Sequence, residues 1–312
     1  MDRRTFIQNV AAGSLAAFAG LDAVSCSGSR VGNSRWKGKN LQWAMGWILW
    51  RDFRKRDIPL SEAINNLADL GLDGIEFSPR NDELSKHGFT RESFRELLNE
   101  KRLAVSGNYF GGAFHDKTKR DSILSSFGNT LDNLKFYGAR NVIIGPPGRN
   151  VGNIPAAIRD SVPLLNELGR MAADVGVTLG VHPHVNTIIE KPDEIDMIME
   201  WTDPRYVLMA PDTGHIRLGG GNVTEIVGKY RNRLSYFHLK DSAGVFNRPD
   251  FGPNLRELGK GEVDFPGVIK ILKEVKYRGW LNVEQDYTTT TPFESATVSA
   301  DYIHHVLKPI YS

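Results

Sequence analysis

The chain is almost without cysteine. Cys26 stands alone in 312 residues, so no disulfide within the chain can brace it. Charge of one sign is missing too: 39 basic residues face 37 acidic ones, a formal net charge of +2. Past the first few residues there is no dense Lys/Arg run, so nothing advertises a nucleic-acid surface and no nucleic-acid partner is expected. No G-x-G-x-x-G follows the first expected strand, which weakens a dinucleotide-binding reading. The apolar stretch at residues 10–21, VAAGSLAAFAGL, is too short and too rich in Gly and Ala to span as a stable anchor.

What remains is an ordinary globular composition, 40% hydrophobic and 24% charged. The N-terminus carries a targeting signature. MDRRTFIQ sets Arg3 and Arg4 before Phe6 and Ile7, which resembles a twin-arginine export signal. AVSC places small residues before Cys26, as a lipoprotein cleavage box does, although Ala23 stands where Leu is usual. The expected organisation is an export signal over 1–26, a Ser/Gly/Lys-rich linker over 27–39 and a single domain over 40–312. Such a protein is exported, either periplasmic or held at the membrane by a lipid on Cys26.

From residue 40 onward one phrase recurs: an amphipathic helix, a glycine, then a short apolar strand. SEAINNLADLGLDGIEF has Ser61 as a cap, Ile64, Leu67 and Leu70 on one face, and Gly71 as a stop. The phrase repeats around Gly138, Gly176 and Gly279. Strands are expected at 41–46, 73–77, 103–108, 141–145, 177–182, 206–211, 234–238 and 280–284. Eight strands alternating with helices predict an α/β fold, a (β/α)₈ TIM barrel, with a doubly wound open sheet as the runner-up.

In such a barrel the chemistry sits at the C-terminal strand ends. Strand alternation turns Val177, Leu179 and Val181 outward and His182 inward. The same test turns His238 and Lys240 of HLKD inward, with Asn282 and Glu284 of LNVE, and leaves Asp212 inward after VLMAP. Four late strands thus each end on an inward ionisable group: His182, Asp212, His238 and Glu284. Crowded carboxylates are costly to desolvate unless a cation shares them. Imidazole with carboxylate is the ligand chemistry of Zn, Mn, Fe or Co, with Mg also admissible. The bland alternative is a salt-bridge ring closed by Lys240 or Arg149.

These residues also carry a family likeness. HPHVNTIIEKPDEID, LMAPDTGHIRLGGG, HLKD and LGKGEVDFPGVIKILKEVKYRGWLNVEQD resemble the xylose-isomerase-like barrels called sugar phosphate isomerase/epimerase, and within them the inosose (2-keto-myo-inositol) dehydratase branch. The resemblance spans about residues 40–308. It implies one divalent metal held by a Glu after strand 5, an Asp after strand 6, a His or Gln at strand 7 and a Glu at strand 8. Asp212, His238 and Glu284 match three of these positions. At strand 5 this chain has His182, and the branch pattern also has His there, with a Glu at the place of Glu190. The resemblance therefore implies Glu190 as the fourth ligand and frees His182 for catalysis. The rival assignment makes His182 the ligand and Glu190 a cap for the helix near Pro192.

The expected activity is a metal-dependent carbon–oxygen lyase on a keto-sugar, 3-keto-glycoside or keto-cyclitol. His182 and His184 are its acid/base groups. His215 and Lys240 bind substrate oxygens, and Trp43 and Trp47 stack on a sugar face. The alternatives are a metal-dependent isomerase or epimerase, an endonuclease-IV-like phosphodiesterase and a non-catalytic sugar-binding lipoprotein. Export favours keto-sugars or 3-keto-glycosides as the small-molecule partner.

Overall fold

The computed structural model describes residues 40–51, 58–77 and 81–312, all within one compact unit, Lys37–Ser312. The expected export segment, with Arg3, Arg4 and Cys26, and the linker lie outside the described residues. Eight parallel strands follow one another: β1 Leu41–Gly46, β2 Gly74–Glu76, β3 Ala104–Gly111, β4 Asn141–Gly145, β5 Thr178–Val181, β6 Val207–Met209, β7 Phe237–Leu239 and, after a short antiparallel pair β8 (Asp241–Ser242) and β9 (Leu255–Arg256), β10 Gly279–Val283. Their order in the sheet is β6-β5-β4-β3-β2-β1-β10-β7. Isolated parallel bridges Met209↔Leu234 and Asp212↔His238 join the two end strands, so the sheet closes into a ring. The principal helices are α1 Leu60–Asp69, α2 Asn81–Lys86, α3 Arg91–Glu100, α4 Arg120–Tyr137, α5 Ile154–Asp174, α6 Pro192–Trp201, α7 Thr213–Leu218, α8 Val223–Lys229, α9 Phe265–Glu274 and α10 Pro292–Tyr302. The (β/α)₈ barrel is the fold of this chain.

Strand alternation divides the core in two. The outward set, among them Met45, Val142, Leu179, Val181, Met209, Phe237, Leu281 and Val283, packs under the helices. The inward set is small: Ala44, Ile143, Ala210, Tyr236 and Trp280 fill the barrel itself. Ser106 and the Tyr236 hydroxyl, 2.7 Å apart, satisfy each other inside it. Apolar side chains thus plug the barrel below, and the polar layer lies above them at the strand ends.

Local details depart from expectation in three places. Ser61 does not cap α1; Pro59 is the N-cap residue and Ser61 lies inside the first turn, because the fixed φ of Pro59 already sets the helix entry. Gly138 and Gly176 take the left-handed conformation after their helices, but Gly279 does not. Lys276 occupies the left-handed position after α9, and Gly279 opens β10, where a Cβ would fall 2.5 Å from the Tyr277 hydroxyl. β7 begins at Phe237 rather than at residue 234, because Leu234 makes only a single bridge to Met209 before the chain bends into register.

Candidate metal and active site

The polar layer is built strand by strand. His182 follows β5, its N–H donating to the Ile144 carbonyl at 3.0 Å. Asp212 follows β6 and caps α7: Oδ1 accepts from His215 N–H at 2.8 Å. That leaves Oδ2 facing inward, 4.0 Å from His182 Nε2, 4.0 Å from His238 Nδ1 and 3.3 Å from Lys240 Nζ. His238 in β7 presents Nδ1 to Glu284 Oε2 at 2.9 Å and Nε2 to Glu76 Oε2 at 2.5 Å. Glu284 follows β10, and its N–H bonds the Leu239 carbonyl. His182, Asp212, His238 and Glu284 offer one ligand atom each within 4.8 Å of one another.

These residues fit a divalent ion on two grounds. Among the described residues both ring nitrogens of His182 are buried without a hydrogen bond, and Asp212 Oδ2 has only ion-pair contacts of 3.3 to 4.0 Å, which interiors rarely tolerate unless something else is to be bound. His238 also has the second partner that metal-bound imidazoles use, since Glu76 holds the nitrogen turned away from the cluster. A register shift between Ile75 and Glu76 aims that carboxylate inward. Glu76 escaped the sequence reading because its strand is three residues long, too short for alternation to show.

Lys240, 1% exposed, lies among the same carboxylates, 3.2 Å from Glu284 and 2.5 Å from Asp286. Gly214 admits it: a Cβ there would meet Lys240 Cγ at 2.7 Å. The expected alternative, a salt-bridge ring through Lys240, is thus realised around the same atoms that could hold an ion. Arg149 takes no part; it forms a two-pronged pair with Glu194 at 2.7 and 2.6 Å.

Burial and charge pull the groups apart in titration. Burial drives His182 and His215 well below the ordinary histidine value, and His184 below it. Burial alone would lower His238 as well, but Glu284 and Glu76 outweigh it and hold the ring's proton well above the usual range. Burial likewise opposes the charge on Lys240, and Asp212, Asp286 and Glu284 more than restore it. Glu284 is held well below the carboxylate range by His238 and Lys240 in spite of its burial. Asp212, pushed up to about 7 chiefly by burial, is the carboxylate that a further cation would ionise.

The structure sets Glu190 apart from this cluster. Its carboxylate pairs with Arg248, accepts Asn186 N–H at 2.7 Å and lies 3.6 Å from Arg149. It does not cap α6 either; Glu194 accepts the Glu190 and Lys191 N–H groups at that helix start. The strand-5 member that meets Asp212, His238 and Glu284 is His182. Trp43 also departs from expectation: it packs in the outward core, and its strand neighbour Ala44 takes the inward position.

Above the cluster is a cavity of about 740 Å³ lined by Trp47, Tyr109, His184, Glu284 and Asp286 among others. His184 Nδ1 lies 2.6 Å from the Val185 carbonyl, which leaves Nε2 to act. Its ring stacks on His215 with centroids 3.6 Å apart, and Phe251 of the β8–β9 loop edges onto both at 5.5 and 4.9 Å. His215 Nε2 is 2.9 Å from Lys240 Nζ. Tyr109, Asp286, Arg248 and Phe251 are further residues of the site that sequence reasoning did not single out.

A family model described as xylose isomerase-like TIM barrel matches residues 64–304. An inosose dehydratase of Geobacillus thermodenitrificans is 27% identical over 282 residues, covering 79% of this chain and 89% of the relative. One from Clostridium beijerinckii is 29% identical over 272 residues, covering 78% and 88%. Among solved structures, the IolI protein with a bound zinc atom superposes with a TM-score of 0.74 at 16% identity, over 87% of this chain and 99% of that one. The probable 3-DHS dehydratase AsbF of Bacillus anthracis does so with 0.71 at 12% identity, over 85% and 99%. At these identities the solved structures speak for the fold alone, whereas the family model spans well over half of the sequence: the chain belongs to the xylose isomerase-like TIM barrel family.

Proposed function

We propose that the protein is a divalent-metal-dependent carbon–oxygen lyase acting on a keto-sugar, 3-keto-glycoside or keto-cyclitol. The observation that supports this most is the close-set group of His182, Asp212, His238 and Glu284, one ligand atom from each within 4.8 Å of the others, with Glu284 lining the cavity above. The name shared by the similar curated proteins, inosose dehydratase, points the same way. A divalent ion on these four residues supplies Lewis-acid polarisation of a carbonyl and its neighbouring oxygen.

The chain's own groups do the rest. His184, kept neutral by burial, takes the proton from the carbon next to the carbonyl through Nε2. The electron pair left behind forms a C=C bond as the bond from the β-carbon to its oxygen breaks. Lys240, held as ammonium by Asp212, Asp286 and Glu284, gives a proton to the departing oxygen. The products are an enone and water or an alcohol. His215 backs both groups, stacked on His184 and 2.9 Å from Lys240. Arg3 and Arg4 support a site of action outside the cytoplasm, and replacing both by Lys is expected to leave the protein in the cytoplasmic fraction.

The test is incubation of metal-loaded protein with a panel of 3-keto-glycosides and inosose, followed by enone absorbance. Enone formation that stops on chelation is the expected result. Full activity after exhaustive chelation, or an isomerised substrate with no enone, overturns the reading.

A further inference from the structure

One face of α4 is built from neutral polar residues. Ser126, Asn129, Thr130 and Asn133 of α4 stand at i, i+3, i+4 and i+7, and all four line the cavity that reaches down to Glu284 and His184. An outer helix face is ordinarily charged, yet from Ser122 to Leu131 this helix has no charged residue. Ser, Asn and Thr are also weaker helix formers than the Lys, Glu or Gln such a face would carry. Neither Asn129 nor Asn133 engages its side-chain amide with a described neighbour. Trp47, 7% exposed, lines the same cavity, and its buried indole N–H has no hydrogen-bond partner among the described residues. In a lining that also holds Arg51 and Glu83, four neutral donors and acceptors with an aromatic residue match a polyhydroxylated ring, whose hydroxyls need hydrogen bonds and whose C–H face stacks.

Size points the same way. The cavity is about 740 Å³. At roughly 30 Å³ per water it has space for about 25 heavy atoms, against about twelve in one hexose and about 23 in a disaccharide. The metal ligands take only one end of that space.

We propose that the α4 face is a second sugar subsite, so that the substrate is a keto-glycoside whose leaving group is itself a neutral sugar. This rests on the lyase reading above and narrows it from free keto-sugars and cyclitols to keto-disaccharides. Substrate binding energy at a remote subsite of this kind acts on KM and on orientation.

The experiment compares a 3-keto-disaccharide with methyl 3-keto-glucoside, which keeps the reacting ring and loses the second. For the wild type, kcat/KM is expected to favour the disaccharide by at least tenfold. In Asn129→Ala/Asn133→Ala that preference is expected to fall to about one, with turnover of the methyl glycoside unchanged. Both replacements raise helix propensity, so the fold is not at risk. A wild-type preference near one, or a preference that survives the double substitution, overturns the subsite. If neither compound is turned over, the 3-keto-glycoside branch of the lyase reading falls by itself. The subsite is then decided by calorimetric binding of the unoxidised disaccharide against methyl glucoside: tenfold tighter disaccharide binding that the double variant abolishes supports it, and equal or absent binding overturns it.

Discussion

At the scale of single residues, Asp212 does two jobs with two oxygens. Oδ1 caps α7 and Oδ2 faces the cluster, so the helix start fixes the direction of the second oxygen. His182 and Glu190 divide differently from the family expectation, because a buried carboxylate goes to whichever cation reaches it, and two arginines reach Glu190 first. His182→Asn is therefore expected to yield protein with little bound metal at micromolar ion, partly recovered in excess ion, whereas Glu190→Gln keeps its ion. Elemental analysis of both variants checks this; a metal-replete His182→Asn variant contradicts it. The protonation pattern gives a second expectation. His238 holds its proton above 6.5 without a cation, and Asp212 is half-protonated near 7, yet both must be deprotonated to bind one. Below the raised value of His238, ion binding releases a proton, so affinity rises with pH by up to about tenfold per unit. Below 7 the proton on Asp212 adds to the slope. Calorimetric titrations in buffers of different ionisation enthalpy read the released protons directly, and a pH-independent affinity refutes the assignment.

At the scale of elements, the strands and the inward ionisable groups at their ends were legible because they obey local rules. Alternation in 177–182, 234–240 and 280–284 turns on neighbours two residues apart, and the αL glycines after α4 and α5 follow from helix-ending chemistry alone. What was not legible depends on partners far apart in the chain. Glu76 reaches the cluster through a register shift in a three-residue strand, and Glu190 meets Arg248 across 58 residues of sequence. Trp43 misled because an aromatic near a strand end can face either way, and its register with Leu281 turns it outward. The Glu190–Arg248 pair ties the loop after β5 to the β8–β9 loop, helped by Asn186 donating to the Pro249 carbonyl at 2.8 Å. The second loop carries Phe251 onto His184 and His215. Arg248→Ala leaves a buried carboxylate with the Asn186 N–H and, at 3.6 Å, Arg149. It is expected to lower stability by about 2–3 kcal/mol in urea unfolding, toward the low side for a broken buried pair. It is also expected to speed tryptic cleavage at Arg256 and to lower kcat/KM. Arg248→Lys is expected to restore little, since one ammonium cannot make the paired contacts of a guanidinium. Unchanged stability and proteolysis together would remove the latch from the account.

At the scale of the whole molecule, the polar layer is a ring of opposed charges under a cavity of about 740 Å³, carried by a barrel whose apolar interior centres on five buried residues, Ala44, Ile143, Ala210, Tyr236 and Trp280. Ion binding to the folded state alone stabilises it by mass action, about 2.7 kcal/mol when the free ion is a hundred times its Kd. That energy has a particular address. Seven of the eight strand junctions are paired ladders, whereas β6 and β7 meet only through isolated bridges, one of which is Asp212↔His238. Two of the proposed ligands thus stand on either side of the weakest seam, and an ion between them is a rivet through it. The amides that cross the seam, Met209 to the Arg233 carbonyl, Ser235 to that of Met209 and His238 to that of Pro211, are expected to exchange with deuterium faster than those of the β3–β4 ladder in metal-free protein. Adding the ion should slow these three selectively. If the proposed ion binds there, the barrel closes its circle on that ion and would open, on losing it, along one known line.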